Sequence, residues 1–481
     1  MSGIDAQKLQ AAIDVIEELQ DLPTDHPDVE RMRRATAGLY KSVKVRKRQE
    51  RRAAKTEHDT AVTEATATGA PGRIDDETAG VFGLTSPTPD TEIAGYLKRP
   101  RSCYTCKDRF TKVDAFYHQL CPPCAKLNRE RRDARADLTG KRALLTGGRA
   151  KIGMYIALRL LRDGAHTTIT TRFPADAVRR FKAMPDSGEW LHRLRIVGLD
   201  LRDPAQVVAL ADSVAAAGPL DILINNAAQT VRRSAGAYGQ LVNAESEPLP
   251  GGELPELLWL GNAATNPAAL LSDPAQRVAL PSQPMPAHAV AELALVSGSA
   301  SPARIADGTA IDAGGLVPDL ADANSWSRVV DEIDALELLE VQLCNVTAPF
   351  VLVSRLRPAL AASAARRKYV VNVSAMEGKF DRGYKGAGHP HTNMAKAALN
   401  MLTRTSAAEM RADGILMTSV DTGWITDERP HPTKMRLHEA GFHAPLDLVD
   451  GAARVYDPIV RGEQGEDLYG CFLKDYRPTS W

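Results

Sequence analysis

The sequence predicts an α/β protein built on a doubly wound parallel sheet, with a helical segment and a small metal-binding module ahead of it. Three observations predict this fold. Short apolar runs alternate with amphipathic helices from residue 138 onward, which is typical of parallel strands with helices on both faces. Two close pairs of cysteines precede that region, and a strongly basic stretch precedes the cysteines. The 481 residues are enough for about two to four units.

The overall composition is that of a folded protein without bulk charge. The chain has 60 Lys and Arg against 60 Asp and Glu, and 44% of its residues are hydrophobic. A net charge of zero argues against a protein held to nucleic acid or to an anionic membrane by charge alone. The sequence has no uninterrupted apolar run near the ~18 residues of a membrane span, and its start has no apolar signal region. We therefore expect a cytoplasmic protein that does not engage a membrane.

Residues 1–59 are predicted to form a basic helical segment. The stretch from Arg31 to Lys55 holds eleven basic residues and one acid, Glu50. Such a stretch is either a solvated helical face or a surface for nucleic acid or a protein partner. Residues 60–97 begin with a stretch rich in Thr, Ala, Gly, Pro and acids, and we expect a linker there.

Residues 98–136 are predicted to be a four-cysteine zinc module. Cys103-Tyr-Thr-Cys106 is followed, after fourteen residues, by Cys121-Pro-Pro-Cys124. Each pair can supply two thiolates from a tight turn, and the intervening loop brings all four around one Zn²⁺. Four thiolates complete a closed site, so the predicted role of the metal is structural. His118 is a minor alternative ligand.

Residues 137–481 carry the alternating pattern, with one interruption. The expected strands are 142–146, 166–171, 194–199, 220–225, 368–373 and 415–420. The expected helices are 152–163, 204–217, 329–356 and 393–413. Between the two halves, residues 236–325 contain ten prolines, many Ala and Gly, and no lysine. This insertion is too long for an ordinary loop, so it is disordered, a mobile lid or a loosely ordered insertion, and we expect a partly ordered cover over a pocket.

The turn after the first expected strand has the features of a phosphate site. It reads Thr146-Gly-Gly-Arg-Ala-Lys-Ile-Gly153 and opens the next helix. Glycines allow a tight turn and a close approach of the backbone to a pyrophosphate, whose charge is favoured by the helix N-terminus. The strand, turn and helix in this order predict a dinucleotide site.

From this turn onward the chain resembles the short-chain dehydrogenase/reductase family, which has a Rossmann fold. Six motifs stand in the family's order: the glycine turn, Asp200, the Asn225-Asn-Ala-Ala228 segment, Asn345, Ser374 and the 421–426 segment. Lys151 stands where the family's middle glycine is usual, and Thr422 replaces a proline. The resemblance implies cofactor contacts from Thr146, Gly147, Lys151, Ile152, Gly153, Asp200, Leu201, Asn226, Ala227, Lys396 and Thr426.

The predicted cofactor is NADP(H) rather than NAD(H). An acid about 20 residues after the glycine turn would bind a ribose 2′-hydroxyl and repel a 2′-phosphate. Here the second strand ends in Thr171-Arg172 with no acid. Arg172, helped by Arg149 or Lys151, could instead pair with a 2′-phosphate.

The catalytic residues depart from the family pattern. The resemblance implies that Ser374 orients a substrate oxygen and that Lys396 and Asn345 support a proton relay, but the position of the family's catalytic tyrosine is Thr392. An aliphatic alcohol is far less acidic than a phenol. Tyr384, His391 or His389 could supply the proton instead, or nothing replaces the tyrosine.

Two functions remain open at this stage. One is an NADP(H)-dependent reduction of a carbonyl or oxidation of an alcohol in a small-molecule substrate. The other is a catalytically silent NADP(H)-binding sensor or scaffold, which engages nucleic acid or a partner through residues 31–55 and the zinc module. The family resemblance also implies a homo-oligomer.

Overall fold

Two exposed helices begin the chain. The computed structural model describes residues 3–71, 73, 91–260, 285–296 and 299–481. Helix α1 spans Ala6–Glu18 and buries none of its side chains, and α2 spans Pro27–Glu64 and buries only Val62. Asp5 caps α1 by accepting from the backbone N–H groups of Gln7 and Lys8, and Pro27 starts α2 at a position where proline is favoured. The basic stretch is therefore one continuous helix that reaches the body of the protein only at its C-terminal end.

The cysteine module is a two-stranded hairpin followed by a helix. Strand β1 (Ile93–Ser102) pairs antiparallel with β2 (Arg109–Asp114), and α3 spans Pro122–Asp133. The last turns of α2 pack against β1, where the Asp59 carboxylate accepts from the backbone N–H of Lys98 at 2.6 Å. The hairpin therefore joins the basic helix to the rest of the chain.

The predicted linker 60–97 is wrong for the residues that the structure describes. Residues 60–64 continue α2, and β1 starts inside the range. Thr66, Ala67 and Thr68 are buried, and the Ala67 N–H donates to Ala115 O at 3.1 Å. Their small side chains fit against the hairpin, so a composition typical of linkers is here a packed segment. Residues 72 and 74–90 lie outside the described part.

The first half of the main domain alternates strands and helices, and α5 is a helix that the sequence analysis did not predict. The strands are β3 (Arg142–Leu145), β4 (His166–Thr171), β5 (Leu194–Gly198) and β6 (Ile222–Asn225). The helices are α4 (Lys151–Arg162), α5 (Pro174–Lys182) and α6 (Pro204–Ala216). All strand pairings here are parallel, since each helix returns the chain to the same end of the sheet.

The described parts of the insertion are ordered and contribute a strand. They form α7 (Gly239–Glu245), β7 (Glu256–Trp259), α8 (Ala287–Ala294) and α9 (Pro302–Ala306). Strand β7 pairs parallel with β5 and extends the sheet at that edge. Residues 261–284 and 297–298 lie outside the described residues.

The second half completes the sheet. The helices are α10 (Ala335–Gln342), α11 (Ala348–Ala361), α12 (Pro390–Met410), α13 (His431–Glu439) and α14 (Leu448–Glu463). The strands are β8 (Lys368–Ser374), β9 (Ile415–Asp421), β10 (Phe472–Lys474) and β11 (Arg477–Thr479). A π-helical turn, Leu343–Thr347, joins α10 to α11.

The sheet has nine strands in the order β11-β10-β9-β8-β6-β3-β4-β5-β7. Within this sheet, only the β10–β11 pair is antiparallel among the strands that the structure describes. Neighbouring residues of β3 face opposite cores: Leu145 packs in the core that includes α4 and α14, and Leu144 packs in the core that includes α6 and α11. The structure confirms the predicted doubly wound fold, in which ligands bind at the carboxyl ends of the strands.

One helical stretch is apolar and long. Ala335–Ala361 could cross a membrane by length and composition, and half of its apolar window is buried inside the protein. Since α11 packs closely on α6, burial in the domain accounts for its apolar face.

Candidate active site and four-cysteine site

The glycine turn after β3 is shaped by contacts that exclude side chains. Gly147 has φ +71°, and a Cβ there would lie 2.9 Å from Ala227 Cα. A Cβ on Gly153 would lie 1.9 Å from Gly147 O, so this position requires glycine. The turn therefore brings the exposed backbone N–H groups at the start of α4 close to any ligand above β3.

Two polar residues fix the turn to the end of β6. The Thr146 hydroxyl accepts from the backbone N–H groups of Asn226 and Ala227, each at 3.0 Å. The Asn226 side-chain amide donates to Thr146 O at 3.0 Å and to Gly147 O at 3.1 Å. In the structure, these two predicted cofactor residues organise the backbone of the turn.

A groove of about 380 Å³ lies over this end of the sheet. The predicted cofactor residues that line it are Gly147, Arg149, Lys151, Ile152, Gly153, Arg172, Asp200, Leu201, Asn226 and Ala227. Tyr238, Gly314 and Leu316 from the insertion also line the groove, so the insertion covers part of it. The structure thus brings together residues that the sequence spreads over nearly 170 positions, in the shape of a site for an extended ligand.

The arginines of the groove have different roles. Arg149 donates to the buried Asp176 carboxylate at 2.5 Å and to Gly314 O at 2.8 Å, so its charge is already paired. Its predicted help with a 2′-phosphate is therefore not supported by its placement. Lys151 lies 3.8 Å from the Asp312 carboxylate. Arg172, at the end of β4, lies over the rings of Phe173 and Tyr238 and contacts the Tyr238 hydroxyl at 3.3 Å.

Asp200 is held at the end of β5. Its carboxylate forms an ion pair of 2.6 Å with Arg202, and Arg202 also binds Glu340 at 2.7 Å. Arg202 lowers the pKa of the Asp200 carboxyl against the opposing effect of burial. Asp200 is thus a fixed acceptor in the wall of the groove.

Lys396 and Asn345 are anchored by backbone groups. Burial lowers the pKa of the Lys396 ammonium to about 8, and its Nζ donates to Val373 O at 2.8 Å. Asn345 lies in the π-helical turn, where its side-chain oxygen accepts from Gln229 N at 2.7 Å and its amide donates to Gln229 O at 2.9 Å. The π-helical turn directs the amide to the chain that follows β6, and such turns are frequent at functional sites.

Ser374 and Thr392 present buried hydroxyls without partners. Both side chains are nearly inaccessible to solvent, and neither Oγ has a hydrogen-bond partner among the described residues. Ser374 ends β8, and Thr392 lies one helical turn before Lys396 on α12. Buried hydroxyls normally find a partner, so these two are available to an oxygen atom of a ligand.

His391 pairs with a residue that the sequence analysis missed. The imidazole is 2% exposed, neither ring nitrogen has a hydrogen-bond partner among the described residues, and Nε2 lies 4.0 Å from the Glu337 carboxylate. Burial lowers the pKa of His391, and Glu337 opposes this shift. Glu337 is also buried and accepts from Arg232 N at 2.7 Å. The two residues are 54 positions apart, and Glu337 lies in an ordinary helical pattern. Nothing in the sequence therefore indicated that Glu337 approaches His391.

The structure does not place Tyr384 or His389 as proton donors. The Tyr384 side chain is 77% exposed, in an exposed segment between β8 and α12. The His389 ring stacks on Trp326 with centroids 4.0 Å apart, and its Nδ1 contacts Trp326 O at 2.9 Å. The small and polar residues around Tyr384 leave nothing to bury its ring, and His389 is held at the start of α12 by Trp326.

A second cavity, of about 160 Å³, lies next to the groove. The insertion contributes Ala300, Asp312 and Pro318, and residues 427–442 form the opposite wall, including His431, Lys434 and Phe442. Glu337 lines this cavity, while Arg233 and Glu428 line both spaces. Thr426, a predicted cofactor residue, precedes this wall and approaches Glu428 at 3.4 Å. The wall follows β9, so it adjoins the carboxyl ends of the strands.

The four cysteines converge. Their sulfur atoms all lie within 4.8 Å of one another, with Cys106 and Cys121 at 3.6 Å. Four thiolates at about 2.3 Å from a tetrahedral Zn²⁺ lie about 3.8 Å apart, so Cys103, Cys106, Cys121 and Cys124 fit that ion. His118 is engaged elsewhere: its Nδ1 contacts the Thr68 hydroxyl at 2.8 Å and its Nε2 contacts the Gln119 amide at 3.0 Å.

The cysteine module is docked on the wall of the second cavity. Tyr104, between the first two cysteines, accepts at its hydroxyl from Trp424 N at 2.8 Å. Arg132 of α3 binds Asp447 through two hydrogen bonds of 2.6 and 2.8 Å at the start of α14. These contacts fix both ends of residues 424–447, which contain the cavity wall.

Known proteins match this chain either over a short segment or over most of its length. A family model described as "short chain dehydrogenase" matches residues 141–241. The chain is 31% identical over 374 residues to the uncharacterized protein R665 of Acanthamoeba polyphaga mimivirus, covering 75% of this chain and 71% of that protein. It is 42% identical over 94 residues to a probable oxidoreductase of Streptomyces antibioticus, covering 19% of this chain and 30% of that protein.

A solved structure is also similar. NADPH-bound carbonyl reductase from chicken fatty liver is 17% identical, with a TM-score of 0.41, over 72% of this chain and all of that chain.

Proposed function

The chain belongs to the short-chain dehydrogenase/reductase family, and from this premise we propose that it reduces a carbonyl or oxidises an alcohol with NADP(H). The observation that carries the proposal is a set of buried, unpartnered polar groups: Ser374 at the carboxyl end of β8, and His391 and Thr392 in the first turn of α12. Buried groups of this kind cost stability unless a ligand or water binds them.

The arrangement at the end of β4 supports NADP(H). The Arg172 guanidinium lies over aromatic rings, and Asp200 and Glu428 are the carboxylates that line the groove. Asp200 is already paired with Arg202, and no acid ends β4 to bind a ribose 2′-hydroxyl. A guanidinium suits the planar, bidentate recognition of phosphate oxygens.

The chain's own residues divide the chemistry among them. NADPH, when bound, supplies the hydride. Ser374 and Thr392 donate hydrogen bonds to the substrate oxygen and orient it, and the ammonium of Lys396 stabilises negative charge nearby. In reduction, the hydride adds to the carbonyl carbon while the oxygen takes one proton, so an alcohol and the oxidised cofactor result.

The proton donor we propose is His391. Glu337 lies close enough to orient the imidazole and to stabilise its charged form, and it links His391 to the second cavity. Thr392, in the position of the family's tyrosine, serves as a hydrogen-bond donor and not as an acid.

The four-cysteine site is proposed to hold structural Zn²⁺. The sulfur spacing fits a tetrahedral ion with no open position, and Tyr104 between the first two cysteines contacts the segment that carries the cavity wall. The predicted reaction requires no chemistry from this metal.

The test is NADPH oxidation by the purified chain with a broad panel of aldehydes and ketones. We expect NADPH to bind more tightly than NADH and to be oxidised by some members of the panel. His391→Ala should lower kcat about 10²–10⁴-fold, in the range of general acid catalysis, with NADPH affinity retained. Tyr384→Phe, which changes an exposed side chain, is the matched control and should keep full activity.

The alternative is a catalytically silent NADP(H)-binding sensor or scaffold. The observation that favours it is Thr392 itself, since the usual acid is missing. Tight NADPH binding without oxidation by any carbonyl, and with no effect of His391→Ala, would establish this alternative instead.

A further inference from the structure

We propose that the basic face of α2 binds the phosphate backbone of double-stranded nucleic acid, independently of the oxidoreductase site. The basic face consists of Arg34, Lys41, Lys44, Lys47, Arg48, Arg51, Arg52 and Lys55, together with Arg99 of β1. Each of these side chains on α2 has another of the set three, four or seven positions away, so they share one side of the helix.

The dimensions of the face match a duplex. At 1.5 Å per residue, the 21 steps from Arg34 to Lys55 span about 32 Å, close to the ~34 Å of one turn of a DNA duplex. Proline occurs in α2 only at its first position, so no proline kinks the helix along the basic face. The face is therefore long enough to meet several successive phosphates.

From Lys41 onward, the basic side chains of the face lack the acidic partners expected of a solvated helix face. At the start of α2, Arg33 and Arg34 pair with Glu30 at 3.9 and 3.1 Å. From Lys41 to Lys55, no ion pair is found with the described residues. Four like-charge pairs at i, i+4 occur instead: 44/48, 47/51, 48/52 and 51/55. Such pairs destabilise an isolated helix, and a bound polyanion removes the repulsion.

A second element completes the face. Arg99 of β1 lies beside the basic residues of α2 and donates to Arg52 O at 3.4 Å. The Asp59 carboxylate accepts from the backbone N–H groups of Lys98 and Arg99 at 2.6 and 3.1 Å, which fixes β1 to α2. The cysteine module thus holds part of the surface in place.

The chemistry favours a duplex over a single strand or a membrane. Binding of single strands relies on stacked aromatic side chains, and Tyr40 is the lone aromatic residue between Arg31 and Lys55. Helices that lie in membranes place large apolar residues beside the basic ones, but the exposed large apolar residues of α2 end at Val45, so the stretch 46–55 of the basic face has none beside it. Phosphate contacts without base contacts predict binding that is independent of sequence.

The test measures how binding of the full chain to a fluorescein-labelled duplex of mixed sequence depends on salt. We expect binding at low salt to both a DNA and an RNA duplex, with an affinity that falls steeply as salt increases. Arg48→Gln/Arg51→Gln should reduce the slope of log K against log salt by about two, since each lost phosphate contact removes about one unit. The matched control is Arg31→Gln/Arg46→Gln, because these residues of α2 lie off the basic face, and it should leave the slope unchanged.

Other outcomes overturn the proposal. Equal losses in both double variants would mean that net charge, not this face, drives binding. Binding to phosphatidylserine vesicles but to neither duplex would assign the face to membranes. Absence of binding at low salt would leave it as a solvated surface. NADPH affinity and helical circular dichroism should be unchanged in every variant, which verifies that the chain is folded.

Discussion

The pH dependence of the reaction tests whether His391, beside Glu337, is the residue that carries the proton. Burial lowers the pKa of His391 below its ordinary value, so the imidazole is neutral at pH 7. Carbonyl reduction needs the protonated ring, and alcohol oxidation needs the neutral one. We expect kcat/KM for reduction to rise as pH falls through the pKa of His391, and kcat/KM for oxidation to fall over the same interval. Steady-state rates between about pH 5 and 9 measure both.

The competing candidate in the same site gives a different profile. Burial lowers the pKa of Lys396 to about 8, so control by this ammonium would place the break near pH 8. His391→Ala should abolish the acidic break, and Glu337→Gln should shift it to lower pH, because the carboxylate stabilises the imidazolium. A single break near pH 8 that persists in His391→Ala would contradict the assignment.

Some site residues could be predicted from the sequence and others could not. The glycines of the turn, Arg172 and Lys396 were predictable because each occupies a fixed offset from a strand or motif. Glu337 was not, because only the packing of α10 against α12 brings it to His391. Arg149 looked suited to a phosphate, but its partner Asp176 lies 27 positions away on α5. Tyr384 carries the phenol that an acid would need, but its side chain is exposed. The sequence alone does not show whether a loop residue is exposed.

Among the secondary-structure elements, the hydrophobic pattern predicted those strands and helices that the local sequence determines. Strands β3, β5, β6, β8 and β9 are rich in apolar residues that alternate between two cores, whereas β4 is rich in threonine and adds only Ile169. Strand β7 was not predictable, because four residues in a proline-rich insertion become a strand only by pairing with β5. The segment Thr66–Thr68 has a linker's composition and is buried only because the cysteine hairpin covers it. In both cases long-range contacts override local composition.

The cysteine module leads to a prediction for the cavity wall. Tyr104 and Arg132 hold the two ends of residues 424–447, and the four cysteines hold the hairpin and α3 together. We expect Cys106→Ser/Cys124→Ser to lose bound zinc, to increase hydrogen exchange in residues 424–447 and to raise KM for the carbonyl. NADPH affinity should change less than about threefold, because the glycine turn has separate supports. Metal analysis and hydrogen exchange by mass spectrometry are the measurements.

The matched control removes a thiol outside the cluster. Cys471 lies just before β10 and does not belong to the four-cysteine group. Cys471→Ser should retain zinc and leave exchange in residues 424–447 unchanged. Unaltered exchange there in the zinc-free variant would show that the module does not position the wall.

At the scale of the whole molecule, charge is separated along the chain. A net charge of zero arises from a basic helix that stands apart from a more acidic remainder. The helix buries almost nothing, so its charges cost the folded domain little and leave it available to a polyanion. The net charge of zero is therefore a sum over two regions, and each region by itself is charged.

The outer helices α11 and α12 lead to a prediction of self-association. They expose Phe350, Met394 and Met401, each by more than half of its surface, in the described part of the chain. Exposed apolar side chains on two helices that bury their other faces in the same core are typical of an interface between copies, and we expect a dimer in solution. Light scattering after size exclusion should give twice the chain mass, and Phe350→Glu should give monomers, because a carboxylate at the interface would be buried unpaired. Phe380→Glu changes a more exposed phenylalanine outside these helices and should remain dimeric. Loss of the dimer in both variants, or a monomeric wild type, would exclude this face as the interface.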